Sequence, residues 1–210
     1  PSSWRLVNRT QKDGDEVMFT VQGVIEAKDL PPIFKSSKPK EKPYLLNQNI
    51  TLTGLGTATF EQSLSALREM HPVISRQFPE GRVTCSFLSG TSLTFSNRFF
   101  TKRSEGGQMI SIPFSPNVDP KNVLTHMLNP LMIHTEENEV KYFVRQSDLG
   151  RNFKYFPTDP QTFRVGDIVE IQCTLVVYKM REENYICKLI LYSVALLDSK
   201  YGNVSYLCLL

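Results

Sequence analysis

No apolar run in this 210-residue chain approaches the roughly 20 residues that a bilayer-spanning helix needs, and the opening "PSSWRLVNRT" holds nothing that reads as a signal peptide. A soluble protein is the expectation. Cysteine is scarce: Cys85, Cys173, Cys187 and Cys208 lie far apart, with no CxxC pair to clasp zinc or act as a redox dithiol. Each sits in an apolar, strand-like run, so small buried thiols in a reducing, intracellular compartment are expected. The triplets at Asn8, Asn49 and Asn203 would carry glycans only in a secreted chain, and such triplets arise often by chance.

Catalytic signatures are lacking as well. There is no P-loop and no G-x-S-x-G elbow, and "GLGTAT" has no third glycine of a dinucleotide fingerprint. His71, His126 and His134 have no partner at metal-ligand spacing, and the three acids of "KDGDE" at 12–16 suit a solvated turn better than a cation site. The chain is expected to be no enzyme and to use no metal or cofactor. Charge of one sign is also modest: a net +3 and a pI near 8.7 fall short of the strongly basic footprint of a dedicated nucleic-acid binder. Any such function must rest on local clustering.

Aromatic and strand-forming residues are plentiful. Thirteen Phe, eight Tyr and 40% hydrophobic content describe a globular chain, and a compact domain of this length buries roughly 70% of its unfolded surface. "VMFTVQGVIEA" places Val17, Phe19, Val21 and Ile25 on one face, with Gly23 as a bulge or bend. "KDLPPIFKSSKPKEKPY" follows, where proline and like charges favour an extended, mobile loop at 31–43. After the short strand "NITLTGLG", Thr59 and Gln62 form a capping-box signature for the helix "FEQSLSALREM", with Phe60, Leu64 and Leu67 on one face and Pro72 near its end. "RVTCSFLSGTSLTFSNRFF" reads as a hairpin about a Ser-Gly turn. A second short helix is expected from Asp119, with Pro120 at its first position, and "EVKYFVRQS" as a further strand.

The most ordered stretch runs from Phe163 to Asp198. Val169, Ile171, Cys173, Leu175 and Val177 alternate with Glu170, Gln172, Thr174 and Tyr178, the pattern of a strand with one buried face. The return, "YICKLILYSVALL", is apolar on both faces and belongs in a covered, central position. Val-Gly-Asp supplies the turn that sends the first strand into a sheet.

This stretch resembles the last two strands of an OB-fold, as in telomere-end and replication-type single-strand binders, and is also similar to fungal reading frames that imply no mechanism. In such a fold a "GDIV" turn opens the fourth strand and a long, curved fifth closes the barrel, and Val17 to Ala27 would supply the opening strand. The resemblance implies a mostly-β protein: one OB-like Greek-key barrel over 1–210, elaborated by extra hairpins and two short helices. It also implies single-stranded DNA or RNA as partner, and a nuclear location.

Single strands are held by rings that stack on bases and by Lys or Arg that neutralise phosphates. Three stretches interleave these types: Arg98, Phe99, Phe100, Lys102 and Arg103; Lys141, Tyr142, Phe143 and Arg145; and Arg151, Phe153, Lys154, Tyr155 and Phe156. Tyr178 and Lys179 form a fourth. The bland account of each is that aromatics in a β protein are core and alternating charges are the solvated face. A protein-interaction or assembly module, with Phe99 and Tyr155 as anchors and arginines as the rim, is the alternative.

Overall fold

The computed structural model describes residues 3–8, 14–35, 43–106, 109–148 and 152–199. The segments of period-2 alternation become strands. β1 (Ser3–Arg5), β2 (Phe19–Asp29) and β3 (Asn47–Thr53) precede α1 (Ala58–Ser75), an 18-residue helix. β4 (Val83–Cys85), β5 (Ser92–Arg98) and β6 (Thr101–Lys102) come next, then a single helical turn, α2 (Arg103–Gly106), and β7 (Met132–Ile133). β8 (Lys141–Asp148), β9 (Asn152–Pro157), β10 (Ile168–Lys179) and β11 (Tyr185–Asp198) complete a mostly-β chain. No helix among the described residues is long and apolar enough to cross a membrane.

The β10–β11 hairpin is the spine of a large mixed sheet. Gly166 adopts φ +94°, open to glycine but costly for other residues, and its N–H donates to the Ile25 carbonyl while the Ile25 N–H donates to the Asp167 carbonyl. Asp167, 1% exposed, accepts the Arg164 N–H through Oδ2 at 2.7 Å, so Val-Gly-Asp docks the start of β10 on β2. β10 pairs antiparallel with β2, β2 with β3, β3 with β5, and β11 with β10, while β5 pairs parallel with β11. These five pairings form a ring. Its interior is filled by Val21, Ile50, Phe95, Ile171, Cys173 and Leu189, none more than 3% exposed.

The helix α1 packs against β2, with Phe60, Leu64 and Leu67 buried as their spacing requires. Gly54 makes this approach possible, because a Cβ there would lie 2.5 Å from the Phe60 ring. The cap is Thr57, two residues ahead of the expected Thr59, and Pro72 is held inside the last turn, where it removes a single N–H donor. Next to it, Trp4, Phe78 and Tyr185 meet with ring centroids 4.7–5.6 Å apart.

Two expectations are corrected. β4 and β5 form no hairpin; both lie parallel along one edge of β11, against Tyr185–Cys187 and Leu189–Ile190. Alternation names a strand's buried face but not its partner. No α-helix starts at Asp119 either. Its carboxylate accepts from the N–H groups of Leu124 and Thr125 and from the Thr125 hydroxyl, Asn122 takes φ +55°, and only a 3-10 turn forms at Thr125–Met127. The two helices are therefore α1 and the single turn α2.

Residues 99–134 build a second apolar cluster around Phe99, Phe100, Leu124, Met127 and Met132. Polar bonds tie the segment that follows it, 137–142, to the sheet. Asn97 donates to the carbonyls of Glu137 and Leu191, Gln48 donates to the Asn138 carbonyl and accepts from the Tyr142 hydroxyl, and Arg5 bridges Glu16 and Glu137 at 2.8 and 2.7 Å. The near end of the Pro/Lys loop is also tied down: the Ile33 N–H donates to Val118, and Phe34 lies under Lys121. Of the loop expected to be mobile at 31–43, residues 36–42 lie outside the described residues. Cys85, Cys173 and Cys187 are free and buried, as expected; Cys208 lies outside the described residues.

Candidate nucleic-acid interface

Where β10 ends and β11 begins, the outward faces of β1, β5, β10 and β11 surround a groove of about 400 Å³. Strand alternation explains its lining. With Phe95 turned into the ring, Ser96 and Arg98 of β5 face out; with Leu189 turned in, Lys188 and Ile190 of β11 do likewise. Tyr178 and Lys179 close one end from the tip of β10, and Tyr44 and Leu45 close the other from the segment just ahead of β3. Four of the sequence candidates thus converge: Arg98, Tyr178 and Lys179 line the groove, and Lys102 sits 5.0 Å over the Tyr44 ring at its margin.

The groove's electrostatics favour an anion. Glu105 binds Arg98 at 3.0 Å and Lys102 at 3.6 Å, so one carboxylate serves two cations. Lys179 and Lys188 have no carboxylate partner among the described residues. Burial pushes the Tyr178 phenol up; the Arg98 and Arg5 cations pull it down, and the Glu137 and Glu105 carboxylates push it up. Burial alone would lower the Arg5 guanidinium, but Tyr192, Glu137 and Glu16 more than offset it, so Arg5 stays charged and acts as a staple.

The "RNFKYF" stretch lies elsewhere. It forms β9, an edge strand paired only with β8 among the described residues, with Phe153 59%, Tyr155 45% and Phe156 45% exposed. Arg145 stacks 4.4 Å over Phe153, and the Tyr155 hydroxyl donates to Glu170, which also accepts from Gln22. Glu170 and Tyr178 are eight residues apart on β10, about 26 Å of strand. The expectation that this segment flanks the groove is therefore corrected: hairpin and groove are separate patches. Lys154 is exposed on β9 and Lys141 on β8, while Arg151 lies outside the described residues.

Three candidate rings are core. Phe99 is 2%, Phe100 0% and Tyr142 6% exposed, and a ring without a free face cannot stack on a base. Arg103 is committed to the Leu131 and Pro130 carbonyls through its backbone N–H and Nε. Sequence reasoning missed Tyr44 and Lys188. Tyr44 ends the lysine-rich "KPKEKPY", an aromatic beside charge that could have been found; Lys188, amid apolar residues, gave no signal. Among the described residues, no three His, Cys, Asp or Glu side chains gather as a metal site would require. No protein-family model, curated protein or solved structure matches the chain.

Proposed function

We propose that this chain binds single-stranded DNA or RNA on an OB-like barrel, without catalysis, in the groove between Tyr44 and Tyr178. The carrying observation is where the groove falls. Counting β2, β3, β5, β10 and β11 as the five strands of the ring, the groove lies over the third and fifth, with Asn47 alone from the second, and it is flanked by Tyr44 and Leu45 ahead of the second strand and by Met180 between the fourth and the fifth. OB-folds bind oligonucleotides with the loops that join their first to second and fourth to fifth strands. Tyr44 and Tyr178 supply rings for stacking, and Arg98, Lys102, Lys179 and Lys188 supply cations for phosphates. An intracellular, nuclear place belongs to the same reading.

A salt titration with fluorescent 12-mer DNA and RNA tests it. Single-strand affinity falls with salt by a log–log slope of about 0.7 per phosphate contact, so replacing both Lys179 and Lys188 by Ala should make the slope shallower by about 1.4. An absence of oligonucleotide binding at low salt overturns the reading.

The second reading, a protein-interaction module, is favoured by β9. Because the Thr158 N–H donates to Tyr142, antiparallel alternation turns the N–H and C=O groups of Phe153 and Tyr155 away from β8, beside exposed rings. An extended partner strand could add there.

A further inference from the structure

Between the second cluster and the base of β8 lies a separate cavity of about 350 Å³, at the small end of the range for ligand sites. Its wall mixes aromatic and proline residues, among them Phe114, Phe143, Pro157 and Pro160, with polar ones such as Asn117 and Glu139. His134, 4% exposed, is one of its polar members. Its ring stacks on Phe114 at 3.9 Å and 24°, and Nδ1 lies 2.8 Å from the Phe99 carbonyl oxygen. A carbonyl only accepts, so Nδ1 carries the hydrogen and Nε2 is left with a lone pair. Burial holds this histidine below its ordinary pKa, with the Phe99 bond and Glu139 pulling the other way, so the neutral form prevails at neutral pH. No described residue donates to Nε2.

We infer that this cavity is a nucleobase pocket, in which His134 Nε2 accepts an N–H from the edge of a planar base held between the half-buried Phe114 and Phe143. A ligand that brings an N–H can bond this acceptor in place of water, and every common base carries such a group on its pairing edge. Aromatic walls suit a flat heterocycle because each base presents a π face. Lys141, exposed at the margin, suits the phosphate of a nucleotide. The base could belong to a bound strand or to a free nucleoside. The pocket rests on the nucleic-acid reading only in the first case.

Nitrogen NMR of the labelled full chain tests this. Titration with thymidine should move the His134 Nε2 resonance toward the protonated range while the Nδ1–H signal is retained. N3-methylthymidine, which lacks the donor, should bind roughly tenfold more weakly. Phe143→Ala, at a half-buried wall position, should weaken thymidine similarly while the Nδ1–H signal persists as a fold check. No shift up to the solubility limit, or equal binding of the methylated analogue, overturns the proposal. Oligothymidylate then separates the sources. If it moves the same resonance, the base comes from a strand. If thymidine binds and no oligonucleotide does, the pocket stands for free nucleosides and the groove reading falls. If oligonucleotides bind while thymidine leaves the ring unchanged, the groove stands and the pocket falls.

Discussion

The groove at the end of β10 and the β8–β9 hairpin both set tyrosine beside arginine and lysine. In the groove, Tyr178 is half-buried, its neighbours come from β1 and β5, distant in sequence, as well as from β11, and two lysines have no carboxylate partner among the described residues. On the hairpin the residues are sequence neighbours, the rings are far more exposed, and Tyr155 is bonded to Glu170. A local cluster of the right types makes a sticky edge. A concave site needs strands to bring such types together from a distance.

The largest expected effect separates rings that fold the protein from rings that meet solvent. Phe100→Ala removes a ring with no exposed surface and should cost about 3–5 kcal/mol in urea unfolding, whereas Phe153→Ala should stay within about 0.5 kcal/mol of wild type. Equal costs would erase the distinction between core and hairpin aromatics.

Next comes the choice between the two patches. Tyr44→Ala should weaken single-strand binding by roughly tenfold, the worth of one stacked base, and Tyr155→Ala by no more than about twofold. The reverse result would move the site to the hairpin. Glu105→Gln should act in the opposite direction: it frees Arg98 and Lys102, and affinity at low salt should rise by up to about fivefold, the range of exposed ion pairs. A decrease would make Glu105 a scaffold for the groove.

The smallest effect is a pH dependence at the turn that launches β10. Burial holds the Asp167 carboxyl above 3.8, so the folded chain keeps that proton more tightly than the unfolded one. Its contribution to stability is therefore full at low pH and is lost as pH rises from about 3.8 through the raised folded value. Asp167→Asn should abolish that slope and still accept the Arg164 N–H, which urea midpoints of both proteins between pH 3 and 7 would register. A slope retained in the variant would assign it to another carboxylate.

Much of the strand content was legible because burial on one face writes itself as alternation. The inward placing of Ile171 on β10 and the apolar return of β11 follow directly from the sequence, whereas Thr174, expected on the open face of β10, is buried. The ends of helices were less legible. Thr57 and Thr59 are both plausible caps, and Asp119 caps a turn that Asn122 prevents from becoming a helix. For the candidate site, composition marked Arg98, Lys102, Tyr178 and Lys179, but it marked Phe99, Phe100 and Tyr142 equally, since a ring beside a cation reads the same whether it faces water or core.

The sequence by itself determined that this is a mostly-β chain with a long hairpin introduced by Val-Gly-Asp, because side-chain period and turn chemistry act over a few residues and need no partner. Only the tertiary structure decided that β4 and β5 line up along β11 instead of on each other, and that Tyr44 meets Lys102 while Tyr155 is carried to the far end of β10. It also placed the buried His134 in the wall of a cavity. Those outcomes depend on which edges find each other in space, and long-range pairing is set by the closing of the whole ring.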